Sequence, residues 1–219
     1  MSTGPTLEQL LDLSVHLETA LRTALPTAGL VPETFEKRYH LATVSAVLAI
    51  EHAHAIRASF HIGAPNSALA LLRIQSEALI RAAWLAYAAS PQEVDALDQS
   101  LSHEAERAAN KLPSYTAMLK ELEKSAPHGL VKTLSDFYQN TRHPLNSFVH
   151  AGLHPLSRMR RAGIPESLMV TALQYSNALL HMSYRLVTGL GGHPQVKMDE
   201  VTRLWKSFVD CFPITKDTV

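Results

Sequence analysis

Residues 66–90, NSALALLRIQSEALIRAAWLAYAAS, put two arginines and a glutamate into a segment that is apolar on most of its faces. Leu69, Leu72, Ala83 and Leu85 lie among many alanines, so the pattern predicts a helix that can be buried over most of its circumference. Arg73, Glu77, Arg81 and Trp84 follow one another at spacings of four, four and three, which sets them on one side of that helix. Charged groups cannot be taken out of water without partners. The rest of the chain must supply partners for this ladder, and that requirement governs how it packs.

The chain has 219 residues, enough for one domain with a sizeable core. Residues 1–219 read as a single helical domain with its core at about 32–190, a lid or peripheral hairpin at 113–128 and a tail at 213–219. Basic and acidic residues number 20 each, which argues against a strongly basic nucleic-acid binder. Cys211 is the only cysteine, so neither an intrachain disulfide nor a cysteine-rich zinc site is available. The N-terminal stretch lacks the basic and apolar regions of a signal peptide, and no uninterrupted apolar run is long enough to span a bilayer. The expectation is a cytoplasmic protein without a membrane partner. The 12 histidines raise the prior for a metal site, a histidine-based active site or a pH response.

Helical periodicity predicts segments at Thr6–Leu25, Pro32–Ile62, Asn66–Ser90, Gln92–Leu112, Tyr115–Lys124, Leu130–Asn140, Ile164–Leu190 and Asp199–Phe212. A short helix opening at Pro144 and closing at Gly152 adds to these. No sustained alternation signals a strand. The fold class is therefore all-α, a multi-helix bundle of about eight helices, four of them long.

Two stretches offer partners to the ladder. Ser102, His103, Glu106 and Arg107 bring charge on the helix after it. Residues 140–155, NTRHPLNSFVHAGLHP, hold Arg142, His143, Asn146, His150 and His154 beside the apolar Phe148 and Val149. An imidazole there can bind a carboxylate, relay a proton or ligate a metal, and the commoner role is a satisfied structural histidine. Glu51 and His54 form an E-x-x-H pair of the kind that supplies metal ligands in carboxylate bundles, with His150 as a further donor. No second such pair occurs, so partnering by neighbouring polar groups is the stronger reading. Arg158, Arg160 and Arg161 make a local basic patch. Phosphate-loop, dinucleotide, hydrolase-elbow and zincin motifs are absent.

LLRIQSEALIRAAWLAYAAS followed by LNSFVHAG resembles a group of uncharacterised bacterial helical proteins. These share an R-x3-E-x3-R-x2-W helix and a later N-S-x-V-H-x-G segment, and the likeness covers roughly residues 40–190. The chain is more distantly similar to the HEPN superfamily, helical proteins of toxin–antitoxin and phage-defence systems. That resemblance implies an up-down helical core, a homodimer, and metal-independent cleavage of RNA without a cofactor by an R-x4-6-H motif. Arg142 and His150 are separated by seven residues and Arg57 and His61 by three, so the chain departs from that motif on both sides. Under this resemblance Arg142, His143 and His150 form the site, with His150 as general base and Arg142 stabilising phosphorane charge. Three readings stand: an RNA-acting defence or toxin–antitoxin component, a non-catalytic interaction module binding a cognate protein around a structural polar core, and a metal-binding bundle. On the chemistry of the residues alone the interaction module leads slightly; in the biological context that the resemblance implies, the RNA-acting component leads.

Overall fold

The computed structural model describes residues 4–25, 32–34, 36–161, 163–192 and 195–213. They form α1 (Leu7–Ala24), α2 (Lys37–His61), α3 (Pro65–Tyr87), α4 (Pro91–Leu97), α5 (His103–Ala109), α6 (Tyr115–Leu122), α7 (His128–Val149), α8 (Leu153–Arg160), α9 (Glu166–Leu190) and α10 (Gln195–Ser207), then a 3₁₀ turn at Val209–Cys211. The all-α expectation holds, and the described residues contain no strand. Ten α-helices replace the expected eight or so. Five are long rather than four, because α1, α2, α3, α7 and α9 each have 18 or more residues.

The differences have local causes. α2 begins at Lys37, not Pro32, because the preceding segment is tied to the end of α9 by the Glu33 N–H donating to the Leu190 carbonyl at 3.0 Å. Residues 92–112 divide into α4 and α5, since the Ser102 side chain accepts from the Ala105 N–H and starts a new helix there. Residues 128–149 form one helix through Pro144, where two were expected. The missing Pro144 N–H leaves one carbonyl free, but Val131, Leu134, Phe137 and Leu145 bury the same face on both sides of it. α3 starts on Pro65 with Ala64 as its cap residue, so neither Asn66 nor Ser67 caps it. At the start of α1, Thr6 and Gln9 form a reciprocal capping box. Most of the tail expected at 213–219 lies outside the described residues.

α3 lies at the centre. It runs antiparallel to α2, with Arg38 donating to the Ala89 carbonyl at 2.6 Å and Ser45 to the Ala78 carbonyl at 2.8 Å. Ala42, Ala46, Ala49 and Ala53 on α2 are buried, and side chains this small allow close approach of the two backbones. α9 packs on both α2 and α3, α7 and α6 cover another side of α3, and α1 and α10 lie on α9. Met118 and Leu122 are fully buried, so the 113–128 segment is anchored to the core through α6.

α10 and the 3₁₀ turn dock on α9 around His181, whose ring meets Trp205 and Phe212 at centroid distances of 6.0 and 5.7 Å. Its Nε2 donates to the Val201 carbonyl at 2.8 Å. Burial holds its pKa down to about 4, despite the Val201 hydrogen bond that favours the charged form. The unfolded chain therefore takes up this proton first, and the group's contribution to stability is lost as pH falls from about 6.5 toward 4. Urea titrations across that window are expected to show a falling midpoint, and His181→Gln to flatten the fall. An equally steep fall in the variant would reject the assignment.

Candidate functional site

The ladder on α3 finds its partners on α6 and α7. Arg73 Nε donates to Glu77 Oε1 at 2.8 Å, while its Nη1 donates to Asn146 Oδ1 and reaches the Arg142 carbonyl at 3.4 Å. One turn further, Arg81 donates to the Tyr115 hydroxyl at 2.9 Å and lies over that ring, 5.2 Å from its centroid. Trp84 is fully buried, and its indole N–H donates to Glu121 Oε2 at 2.6 Å. Each position of the R-x3-E-x3-R-x2-W pattern thus has a partner, and Arg73–Asn146 joins the first motif to the second. The side chains of Arg73 and Glu77 are 21 and 15 % exposed, so this is a largely closed, paired group.

Asn146 therefore belongs to the ladder as expected, but His150 does not enter it. His150 caps α7 and is exposed. His143 is exposed as well, and Arg142 is half-buried with its guanidinium 3.5 Å from the Thr116 hydroxyl. His103 and Arg107, the other expected partners, stay on the surface of α5: His103 is 98 % exposed beside Glu106, and Arg107 bonds back to the His103 carbonyl. Tyr115 and Glu121 occupy the partner role instead. They carried no motif in the sequence; the signal was the polar ends of Tyr115 and Glu121 on an otherwise apolar face of α6.

The second motif builds a turn. Ala151 adopts a left-handed conformation (φ 49°), and the Gly152 N–H donates to the Ser147 carbonyl at 2.7 Å. A Cβ at Gly152 would come within 2.8 Å of Ser147 Oγ, so a larger residue there would displace the Ser147 hydroxyl. That same Ser147 hydroxyl accepts the His154 N–H at 3.0 Å and caps α8. The His154 ring stacks on Phe148, with centroids 6.0 Å apart.

A second polar group joins α1, α2 and α9. Glu18 is 6 % exposed and receives Arg57 on Oε2. Its Oε1 receives His54 Nε2, Arg22 Nε at 2.9 Å and the Tyr184 hydroxyl at 3.4 Å. Burial alone would raise the Glu18 pKa. The His54 hydrogen bond and the charges of Arg57, His54 and Arg22 overcome it and hold the group at about 2. His54 thus faces Glu18 and not Glu51, which is exposed. Glu51, His54 and His150 are not brought together, and no group of three His, Cys, Asp or Glu able to hold a metal ion occurs among the described residues. The sequence signal for Glu18 was its place in the buried stripe of α1 with Ser14, Leu17 and Leu21.

Two neutral bridges complete the interior. Gln75 and Ser176 exchange hydrogen bonds of 3.0 and 2.8 Å between α3 and α9. Asn177 donates to Ser14 Oγ and the Cys211 carbonyl, linking α9 to α1 and the last turn. Burial pushes the Cys211 thiol up to about 12, so it packs as an inert group. No helix among the described residues is long and apolar enough to cross a membrane.

Residues 46–214 match a family of unknown function (DUF6988), and the chain belongs to that family. The matched region contains both motif stretches. No curated protein and no solved structure matches the chain.

Removing Glu18 leaves Arg57 buried without its carboxylate. Glu18→Ala is expected to lower stability by about 3–5 kcal/mol at neutral pH. The carboxylate stabilises the fold above its ordinary pKa of 4.5, and that contribution is lost as pH falls toward 2. Denaturant unfolding of both proteins should therefore show the gap narrowing below pH 4.5. A gap independent of pH would mean that packing, not charge, is what the substitution removes.

Proposed function

We propose that this member of DUF6988 is a non-catalytic helical interaction module whose polar core is structural. The observation that carries this reading is the pairing of the Arg73–Glu77–Asn146 group inside the α3–α7 contact, where the Arg73 and Glu77 side chains are largely buried. A buried, satisfied network of this kind contributes little net stability but fixes one packing of its helices. The residues free to meet a partner are on the surface.

A second reading keeps RNA as the partner and Arg142, His143 and His150 as the site. It is favoured by the exposure of both histidines near the end of α7, within residues 137–165, which contain no Asp or Glu. The defence or toxin–antitoxin context belongs to this reading and rests on the distant HEPN-like resemblance alone.

Two measurements separate the readings. Purified protein incubated with total RNA is expected to leave it intact. Asn146→Ala, which strips an acceptor from Arg73, is expected to lower stability by about 1–3 kcal/mol, whereas the exposed His150→Ala changes it by no more than about 0.5 kcal/mol. RNA cleavage that disappears in an Arg142→Ala/His150→Ala double variant would overturn the module reading in favour of the ribonuclease.

A further inference from the structure

Helix α8 is amphipathic in the wrong sense for a core helix. Leu153, Leu156 and Met159 are 78, 58 and 74 % exposed, while Pro155 is its one buried residue. Arg160 and Arg161 are exposed, Arg158 is half-buried, and none of the three has an acidic partner among the described residues. α8 thus presents aliphatic side chains among unpaired guanidinium groups. A surface of that composition fits a partner that is both apolar and acidic.

The chain carries such a surface itself. A shallow depression of about 460 Å³ has Leu7, Leu11 and Met169 on its lining, together with the carboxylates of Glu8, Asp12 and Glu166. Glu8 and Asp12 are exposed and make no ion pair among the described residues. Glu166 accepts the Leu7 N–H at 2.9 Å and joins the first turns of α1 and α9.

Both surfaces lie at one end of the bundle. Phe60 and His61, the last residues of α2, also line the depression. α3 begins four residues later at Pro65, and Asn66 in its first turn donates to Met159 Sδ at 3.3 Å, holding the last turn of α8 at this end. A surface and its complement at the same end can be satisfied together by a two-fold axis.

We propose that two copies of the chain meet at this end about a two-fold axis, each seating α8 in the acid-rimmed depression of the other. The chain is neutral overall, with 20 basic and 20 acidic residues, so no net repulsion opposes the pairing. Each contact occurs twice, the arginines of α8 face Glu8 and Asp12, and Leu153, Leu156 and Met159 leave water. The axis also closes the assembly at two copies, whereas a head-to-tail use of the same surfaces would propagate. Single-stranded RNA is a poorer fit to α8, because stacking needs aromatic side chains and this helix exposes aliphatic ones. The inference rests on the module reading, since it assigns the surface and not a catalytic cleft.

Sedimentation equilibrium of the full chain tests it. The wild type is expected to be a dimer that weakens as salt is raised. Arg160→Glu/Arg161→Glu and, separately, Glu8→Arg/Asp12→Arg are each expected to raise the dimer Kd by at least about a hundredfold. An equimolar mixture of the two variants restores opposite charges at both contacts of a mixed dimer, one native and one reversed, and is expected to associate more tightly than either variant alone. All four positions are on the surface, and unchanged circular dichroism melting confirms that each variant is folded. A wild-type monomer at high protein concentration overturns the proposal. So does a dimer indifferent to both charge reversals, or one broken instead by Val44→Glu/Leu48→Glu on the exposed face of α2. A monomer that sediments with phosphatidylserine vesicles through Arg160 and Arg161 overturns it in favour of a lipid surface. Failure here with RNA still intact removes the dimer and leaves the module reading standing; RNA cleavage removes the module reading itself.

Discussion

A guanidinium inside a helical bundle must be met by acceptors, and the helices that supply them lose the freedom to pack elsewhere. α3 carries Arg73 and Arg81 on a helix whose other faces are occupied by Leu72, Leu79, Ile80 and Ala83. Arg73 therefore requires the Asn146 region of α7, and Arg81 requires the Tyr115 end of α6. Arg57 on α2 makes the same demand of Glu18 on α1. Apolar burial drives these helices together but is non-directional. The charged contacts choose among the many ways alanine- and leucine-rich helices could slide past one another.

This explains which features were legible in the sequence. The ladder was visible because its members are local, spaced along one helix in an apolar background. Asn146 was visible as a polar residue on a short, partly apolar stretch. Glu18 was hidden because its partners His54 and Arg57 lie on a different helix, and nothing in a helical repeat specifies which helix will be the neighbour. The E-x-x-H spacing of Glu51 and His54 offered a metal pair, and partnering by neighbouring polar groups was the stronger reading; His54 does meet Glu18 on α1, while Glu51, three residues away, meets solvent. His103, Arg107 and His150 show the converse. A charged or imidazole group near a helix end is compatible with burial by sequence but has no tertiary contact that forces it.

Helix boundaries depart from the sequence pattern where packing or a cap outweighs a punctuation residue. Pro144 looked like a start, yet the apolar face of α7 continues across it, and one lost hydrogen bond is outweighed by that burial. Residues 92–112 looked continuous, yet Ser102 caps a new turn and Leu101 is left 96 % exposed. Tertiary packing decided the first case and a local side-chain cap the second.

The N-S-x-V-H-x-G segment connects these themes. It invited a chemical reading because of its histidine, but its geometry rests on the other positions. Asn146 ties α7 to the ladder, Ser147 caps α8, and Gly152 lets the two backbones approach. Ala151 holds a left-handed conformation that alanine adopts only at a cost. These bonds fix a turn whose main product is the projection of α8 away from the core, with Leu153, Leu156 and Met159 outward. A chain minimising exposed apolar surface would gain by folding α8 back. Held out through this turn, α8 keeps the apolar surface that the proposed two-fold contact would cover. The interior polar network and the exposed helix are thus consecutive parts of one arrangement, running from Arg73 through Asn146 and Ser147 to α8.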